Sequence, residues 1–144
     1  MHARLLTPIL LVTAMVGSVP AQAPTTVPSS IDACAASAGA LADEPFVMAT
    51  APLAGALVKS GFTVQGCSRT FESRFAWTLT LRGGKVLAKG TATGGGVDGP
   101  RPFSFTVTAT VAKPTLAYLE ISEPRMSGDG PPPSRAVVPV VVTP

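Results

Sequence analysis

An alternation of apolar and polar residues, "FSFTVTATV" at 103–111, constrains the fold of this chain more than any other feature. Side chains on successive residues of a β-strand point to opposite faces, so a period of two predicts a strand with one buried and one wet face. Serine and threonine occupy the wet positions here. The apolar positions are Phe103, Phe105, Val107, Ala109 and Val111.

The same rule describes residues 71–81, which contain the only tryptophan of the chain. Apolar side chains share one parity there, and the glycines of "RGGK" (82–85) then supply a hairpin turn, since glycine accepts the positive φ that such turns require. We expect both strands to contribute their apolar faces to one core. The predicted core residues are Phe71, Phe75, Trp77, Leu79, Phe103, Phe105 and Val107.

Further strands are predicted near residues 46–50, 62–67, 85–92, 116–122 and 136–142, which makes seven over about 100 residues. The chain has 14 glycines and 15 prolines, a composition that favours many turns over long helices. Seven antiparallel strands of this spacing pack as two facing sheets. The sequence therefore predicts an all-β, immunoglobulin-like antiparallel sandwich over residues 45–144.

Residues 1–23 read as a signal peptide. Arg4 provides a positive start, a short apolar run follows, and small residues at the end allow cleavage after Ala23 or Ala21. The run is too short to span the roughly 30 Å core of a bilayer as a stable anchor. The competing interpretation is a buried first helix. We expect a secreted or periplasmic protein, with residues 24–44 as a leader in which 31–43 form a short helix.

The loss of residues 1–23 would also remove His2, the only histidine. The remaining chain then has no imidazole for a Ser-His triad or a metal site. Its charge falls from +3 to +2, because Arg4 leaves as well. This bias is too small to predict nucleic-acid binding.

Cys34 and Cys67 are disulfide candidates, because export leads to an oxidising compartment. Two inert thiols or an intermolecular bridge are the competing interpretations. Cys67 has the opposite parity to Phe62 and Val64, so it should point away from the core. We therefore predict a bond that ties the segment before the domain to the strand at 62–67.

Residues 45–142 resemble the bacterial spore-germination immunoglobulin-like domain family, which often accompanies GerMN domains in envelope proteins. The resemblance runs through "APLAGALVKSGFTVQGCSRTFESRFAWTLTLRGGKVLAKG", "GPRPFSFTV", "LAYLEISEP", "SGDG" and "AVVPVVV". It implies an extracytoplasmic immunoglobulin-like module without assigned chemistry.

Motifs for catalysis and cofactors are missing from the sequence. No Ser-x-x-Lys occurs, and the glycine-rich "GTATGGGVDGPRP" lacks the Gly-Lys-Ser/Thr of a phosphate loop. "SGDGPPPS" has one acid where a calcium loop supplies several. We assign no catalytic residue, cofactor or metal, and we predict that the protein is not an enzyme.

Successive connections of an antiparallel sandwich alternate between its two ends, so the loops at 68–70, 94–102 and 123–134 should share one end. Loops on a rigid scaffold are common recognition sites. The candidate partner-binding residues at this end are Arg69, Asp98, Arg101, Arg125, Met126 and Asp129.

The function predicted from these features is an exported, non-catalytic binding or structural module of the bacterial cell envelope. Its expected partner is an envelope protein or a cell-wall polymer, with no nucleic acid and no membrane span after signal cleavage. The alternative is a secreted or periplasmic inhibitor of a hydrolase that acts through an exposed loop, "EPRMSGDGPPPS".

Overall fold

Eight β-strands in two sheets make up the computed structural model, which describes residues 34–35, 44–124 and 133–144. The predicted all-β, immunoglobulin-like sandwich is confirmed. The strands are β1 (Phe46–Ala51), β2 (Leu57–Lys59), β3 (Phe62–Arg69), β4 (Arg74–Leu81), β5 (Val86–Thr93), β6 (Arg101–Val107), β7 (Thr115–Ser122) and β8 (Arg135–Thr143).

One sheet has three strands in the order β1-β3-β6, and the other has five in the order β2-β8-β7-β4-β5. Every neighbouring pair is antiparallel except β2 and β8, which run parallel. The inner faces of the two sheets enclose the core. Phe75 and Leu79 of β4, Val64 of β3 and Val107 of β6 are completely buried there.

Aromatic rings from both sheets meet in the middle of this core. Trp77 of β4 stacks on Phe105 of β6, with ring centroids 5.3 Å apart and planes inclined by 14°. The rings of Phe75 and Phe103 meet at 4.7 Å. These contacts join the sheets because β4 and β6 belong to different ones.

The prediction that Phe71 lies in the core is wrong. β4 begins at Arg74 rather than at residue 71, and the Phe71 side chain is 64% exposed. A turn separates the two positions: the backbone N–H of Ser73 donates to the carbonyl oxygen of Thr70 (3.3 Å), and Ser73 has a φ of 55°. Parity along a strand has no meaning across a turn, so Phe71 does not share the face of Phe75.

The end of β6 and the number of strands also differ from the prediction. The alternation at 103–111 predicts one strand, but β6 ends at Val107 because the chain then crosses to the other sheet and enters β7. Ala109 is still buried in the core on the way. The eighth strand, β2, was not predicted, since three residues between the turn glycines Gly55 and Gly61 are too few for a periodic signal.

The hairpin between β4 and β5 has the predicted form, with positive φ at Gly83 and Gly84. The backbone N–H of Leu81 donates to the carbonyl oxygen of Lys85 at 2.8 Å.

Of the predicted leader, only residues 34–35 and 44 are described, and the predicted signal peptide lies wholly outside the described residues. Within the described part of the chain, no helix has the length and apolarity to cross a membrane.

Candidate functional site

Three connections come together at one end of the sandwich, which we call the loop end: residues 70–73 between β3 and β4, residues 94–100 between β5 and β6, and the segment that follows β7. The first two are joined through their backbones. The N–H of Thr70 donates to the carbonyl oxygen of Gly95 (3.0 Å), and the N–H of Gly94 donates to that of Ser73 (3.0 Å). The β3–β4 and β5–β6 connections therefore form one hydrogen-bonded unit.

The third connection joins this unit through a carboxylate. Glu123 accepts a hydrogen bond from the backbone N–H of Phe71 at 2.6 Å through its Oε1 atom. Its own N–H donates to the carbonyl oxygen of Ser134 at 3.0 Å, which ties the segment after β7 to the start of β8. Glu123 thus links the segments on both sides of residues 125–132 to the turn that carries Phe71.

Glycines 94–96 allow the β5–β6 connection to lie directly on β3. A Cβ at Gly94 would collide with Ser68 Oγ, and one at Gly95 would collide with the Ser68 carbonyl oxygen. A Cβ at Gly96 would meet Ser73 Oγ. The glycine run therefore serves close backbone packing at the loop end.

A pocket of about 180 Å³ opens at the loop end. Its walls combine a cation with exposed apolar side chains: Phe71 is 64% exposed and Val97 is 66% exposed. The guanidinium of Arg69 donates from Nη2 to the carbonyl oxygen of Val97 at 3.4 Å, which holds the cation beside them. Pro45 and Thr70 complete the lining.

The structure brings together the described residues among those predicted for this site. Arg69 ends β3, and Arg101 begins β6 and pairs in register with Ser68. Asp98 sits in the turn that the N–H of Gly99 closes by donating to the carbonyl oxygen of Gly96 (3.0 Å). The predicted residues Arg125, Met126 and Asp129 lie outside the described residues.

Sequence reasoning missed Phe71, Val97 and Glu123 as members of the site. Phe71 was assigned to the core by parity, although the "TFES" sequence around it contains polar residues that suit a turn. Val97 is a single apolar residue in a glycine-rich connection, so no periodic pattern assigns its side chain to the core. Glu123, the third of these residues, has no local sequence signal, because its role depends on a hydrogen bond to Phe71, 52 residues away.

The predicted disulfide is present, between Cys34 and Cys67, with their Cα atoms 5.3 Å apart. Cys67 points away from the sandwich core, as its parity predicts, and packs in a separate cluster with Phe46 and Met48. This cluster lies on the outer face of the three-stranded sheet. The bond therefore fixes Cys34 to β3, on the side of the sandwich that faces away from the five-stranded sheet.

The described residues contain no group of three or more His, Cys, Asp or Glu side chains that would hold a metal ion. At the loop end, the arrangement offers a cation, an aromatic ring and an aliphatic side chain around a shallow pocket. Such a surface is suited to molecular recognition, since arginine and aromatic side chains dominate binding interfaces.

A comparison with protein families finds a match over residues 46–129, more than half of the 144-residue chain, to the immunoglobulin-like domain of bacterial spore germination. The chain belongs to this family. In this family member, the matched region runs from the start of β1 to a point beyond the end of β7. It contains most of the loop end. The resemblance seen in the sequence is thereby confirmed.

A comparison with solved structures finds CopC from Methylosinus trichosporium OB3b, known from its crystal structure, at 19% sequence identity and a TM-score of 0.47. The alignment covers 70% of this family member and 95% of that chain. No curated protein matches the sequence.

Proposed function

We propose that the chain is an exported, non-catalytic immunoglobulin-like module of the bacterial cell envelope, which binds an envelope protein or a cell-wall polymer through its loop end. The observation that carries the proposal is the pocket at the loop end, where Arg69, Phe71 and Val97 are exposed or partly exposed around one opening. Rigid sandwiches commonly place recognition on such loops.

Export is supported by two independent features. The first is the sequence of residues 1–23, with its positive start, short apolar run and small-residue cleavage sites. The second is the Cys34–Cys67 bond, because disulfides form and persist in oxidising compartments outside the cytoplasm. Together they support a secreted or periplasmic location.

The non-catalytic part of the proposal rests on the residues available. His2 is the only histidine and falls in the predicted signal peptide, so the domain would lack the usual general base. Membership of a family without assigned chemistry agrees with this. The described side chains that line the pocket, with an arginine and an aromatic ring among them, are of the kinds that suit a binding surface.

The pocket also suggests how a partner would bind. The exposed Phe71 ring offers a large apolar contact at little cost in conformational entropy, and Val97 extends that contact. Arg69, fixed beside them by its bond to the Val97 carbonyl oxygen, can pair with a carboxylate or phosphate of the partner. We therefore expect a partner surface with an anionic group next to an apolar one.

The test is in-cell crosslinking of the native protein, followed by identification of its neighbours by mass spectrometry. We expect a small, reproducible set of envelope components. The combined variant Arg69→Ala, Arg101→Ala and Arg125→Ala should lower their recovery at least about tenfold, since a hot-spot arginine contributes about 2 kcal/mol or more. Circular dichroism must show that the variant is folded.

Lys113→Ala is the matched control, because Lys113 lies in the connection from β6 to β7 and not at the loop end. This variant should leave the recovered neighbours unchanged. Unaltered recovery with the triple-arginine variant would refute the proposed binding site. Recovery of a single hydrolase in a tight one-to-one complex would favour inhibition over attachment.

A further inference from the structure

The outer face of the five-stranded sheet carries several apolar side chains, although it is not part of the core. We call it the basic sheet face and define it by the outward residues of β2, β8, β7, β4 and β5 with the β4–β5 turn. Leu57 is 75% exposed on it. Val141 pairs with both Leu57 and Leu116, which makes one apolar row across three strands. Val86 and Val137 are further exposed apolar residues of this face.

Charge is distributed unevenly between this face and the rest of the described chain. The basic sheet face has six cations and one carboxylate, Glu120, whereas the remaining described residues have three cations and four carboxylates. Glu120 lies 3.9 Å from Arg135, so it offsets a cation of the same face. The six cations, all exposed, are Lys59, Arg74, Arg82, Lys85, Lys89 and Arg135.

These charges decide what kind of surface fits against the basic sheet face. A second copy of the chain, packed face to face, would oppose six cations with six more, and like charges disfavour that arrangement. The Cys34–Cys67 bond holds Cys34 to the opposite side of the sandwich. The complementary surface is therefore anionic, and it must also accept apolar side chains.

We infer that the basic sheet face docks on the surface of an anionic phospholipid bilayer. Lipid headgroups supply phosphates for the surrounding cations, and the acyl boundary just below them accepts the row formed by Leu57, Val141 and Leu116. Tyr118, which pairs with Pro139 next to this row, is a residue type that favours the interface. A soluble polyanion would satisfy the cations but would offer nothing to the exposed leucines.

The docking geometry leaves the loop end available. The loop end is formed by connections at one end of the strands, whereas the basic sheet face lies along the side of the five-stranded sheet. When the domain lies on a bilayer through this face, the pocket at the loop end opens sideways, along the membrane plane. This inference does not depend on the partner proposed for the loop end, and the two are tested separately.

The experiment is co-sedimentation of the disulfide-bonded protein with vesicles of phosphatidylcholine alone or of equal parts phosphatidylcholine and phosphatidylglycerol. We expect binding only to the vesicles with phosphatidylglycerol, and we expect 1 M NaCl to abolish it, since the Debye length then shrinks to about 3 Å. The double variant Lys59→Gln, Lys89→Gln should lower the partition coefficient about 25-fold, at about fivefold per cation.

The apolar contribution is tested by Leu57→Ser with Leu116→Ser, which should lower the partition coefficient about tenfold. Both leucines are exposed, so the variant should stay folded. Lys113→Gln is the charge control and should change binding less than about twofold. All variants share the same N-terminal residues, so the contribution of those residues to vesicle binding is equal throughout.

Three results would overturn the inference. Equal binding to both kinds of vesicle would remove the role of the cations, and unchanged binding of the leucine variant would mean that charge alone acts. Binding to purified anionic wall polymer without vesicle binding would replace the bilayer by a polymer. Vesicle binding that persists in the triple-arginine variant of the loop end, in contrast, would support the basic sheet face and leave the loop-end proposal to its own test.

Discussion

Replacing Gly90 by alanine should destabilise the domain, although glycine-to-alanine changes in strands usually do the opposite. Gly90 of β5 pairs with Trp77 of β4, and the indole covers the position where a Cβ would stand. That Cβ would lie 2.6 Å from Cζ2 and 2.8 Å from Cε2 of Trp77. The indole cannot shift freely because it also stacks on Phe105, with ring centroids 5.3 Å apart.

The expected cost follows from two opposing terms. Overpacking of a well-packed core costs about 1–3 kcal/mol, and the reduced entropy of the unfolded chain returns about 0.4–1 kcal/mol. We therefore expect the free energy of unfolding to fall by about 1–2 kcal/mol. For a domain of about 100 residues this corresponds to a decrease in Tm of roughly 5–10 °C.

Urea titration of the wild-type protein and the Gly90→Ala variant provides the measurement. Trp77, the only tryptophan, reports on its own surroundings by fluorescence, and circular dichroism follows the sheet. Trp77→Phe is the matched background, since the smaller ring vacates the space next to residue 90. There, Gly90→Ala should cost about 1 kcal/mol less than in the wild type. An equal cost in both backgrounds, or a stabilised single variant, would refute the packing argument.

Two further predictions concern the disulfide and the boundary of the core. Thiol titration of the unreduced, denatured protein should find no free thiol, and two reactive thiols before reduction would contradict the Cys34–Cys67 bond. Reduction of the bond should lower the free energy of unfolding by about 3–4 kcal/mol for the 33-residue separation. Phe71→Ala should change the free energy of unfolding by less than about 0.5 kcal/mol, because the ring is exposed, whereas Phe75→Ala should cost about 3–5 kcal/mol. Similar costs for the two variants, measured by urea titration, would place Phe71 back in the core.

Most of the fold can be predicted from the sequence because its strands are half buried. The alternation in β4 and β6 reflects a core on one side and solvent on the other, so parity assigns Phe75, Trp77, Leu79, Phe103 and Val107 to the inner face, where the structure has them. The strand β2 was missed for the opposite reason. Its three residues are held by pairing with β8, far along the chain, and no local pattern records that.

The candidate site was only partly predictable. Strand order alone indicates which connections share an end, and this placed Arg69, Asp98 and Arg101 together. The contacts around the pocket follow no periodic sequence pattern. Parity misassigns Phe71 to the core because the turn at Ser73 breaks the alternation. The hydrogen bond from the Phe71 N–H to Glu123 joins residues 52 positions apart. The unequal charge of the basic sheet face and the rest of the described chain likewise becomes visible only when register assigns each cation to a face.

The parallel pairing of β2 with β8 has a consequence for the order in which the domain is assembled. Val58 and Thr143, which share a hydrogen bond from the threonine hydroxyl, are 85 residues apart, so β2 has no partner in its sheet until β8 has been synthesised. Pairings of such long range are slow to form. The five-stranded sheet is therefore complete only when β8, which ends at Thr143, has been made.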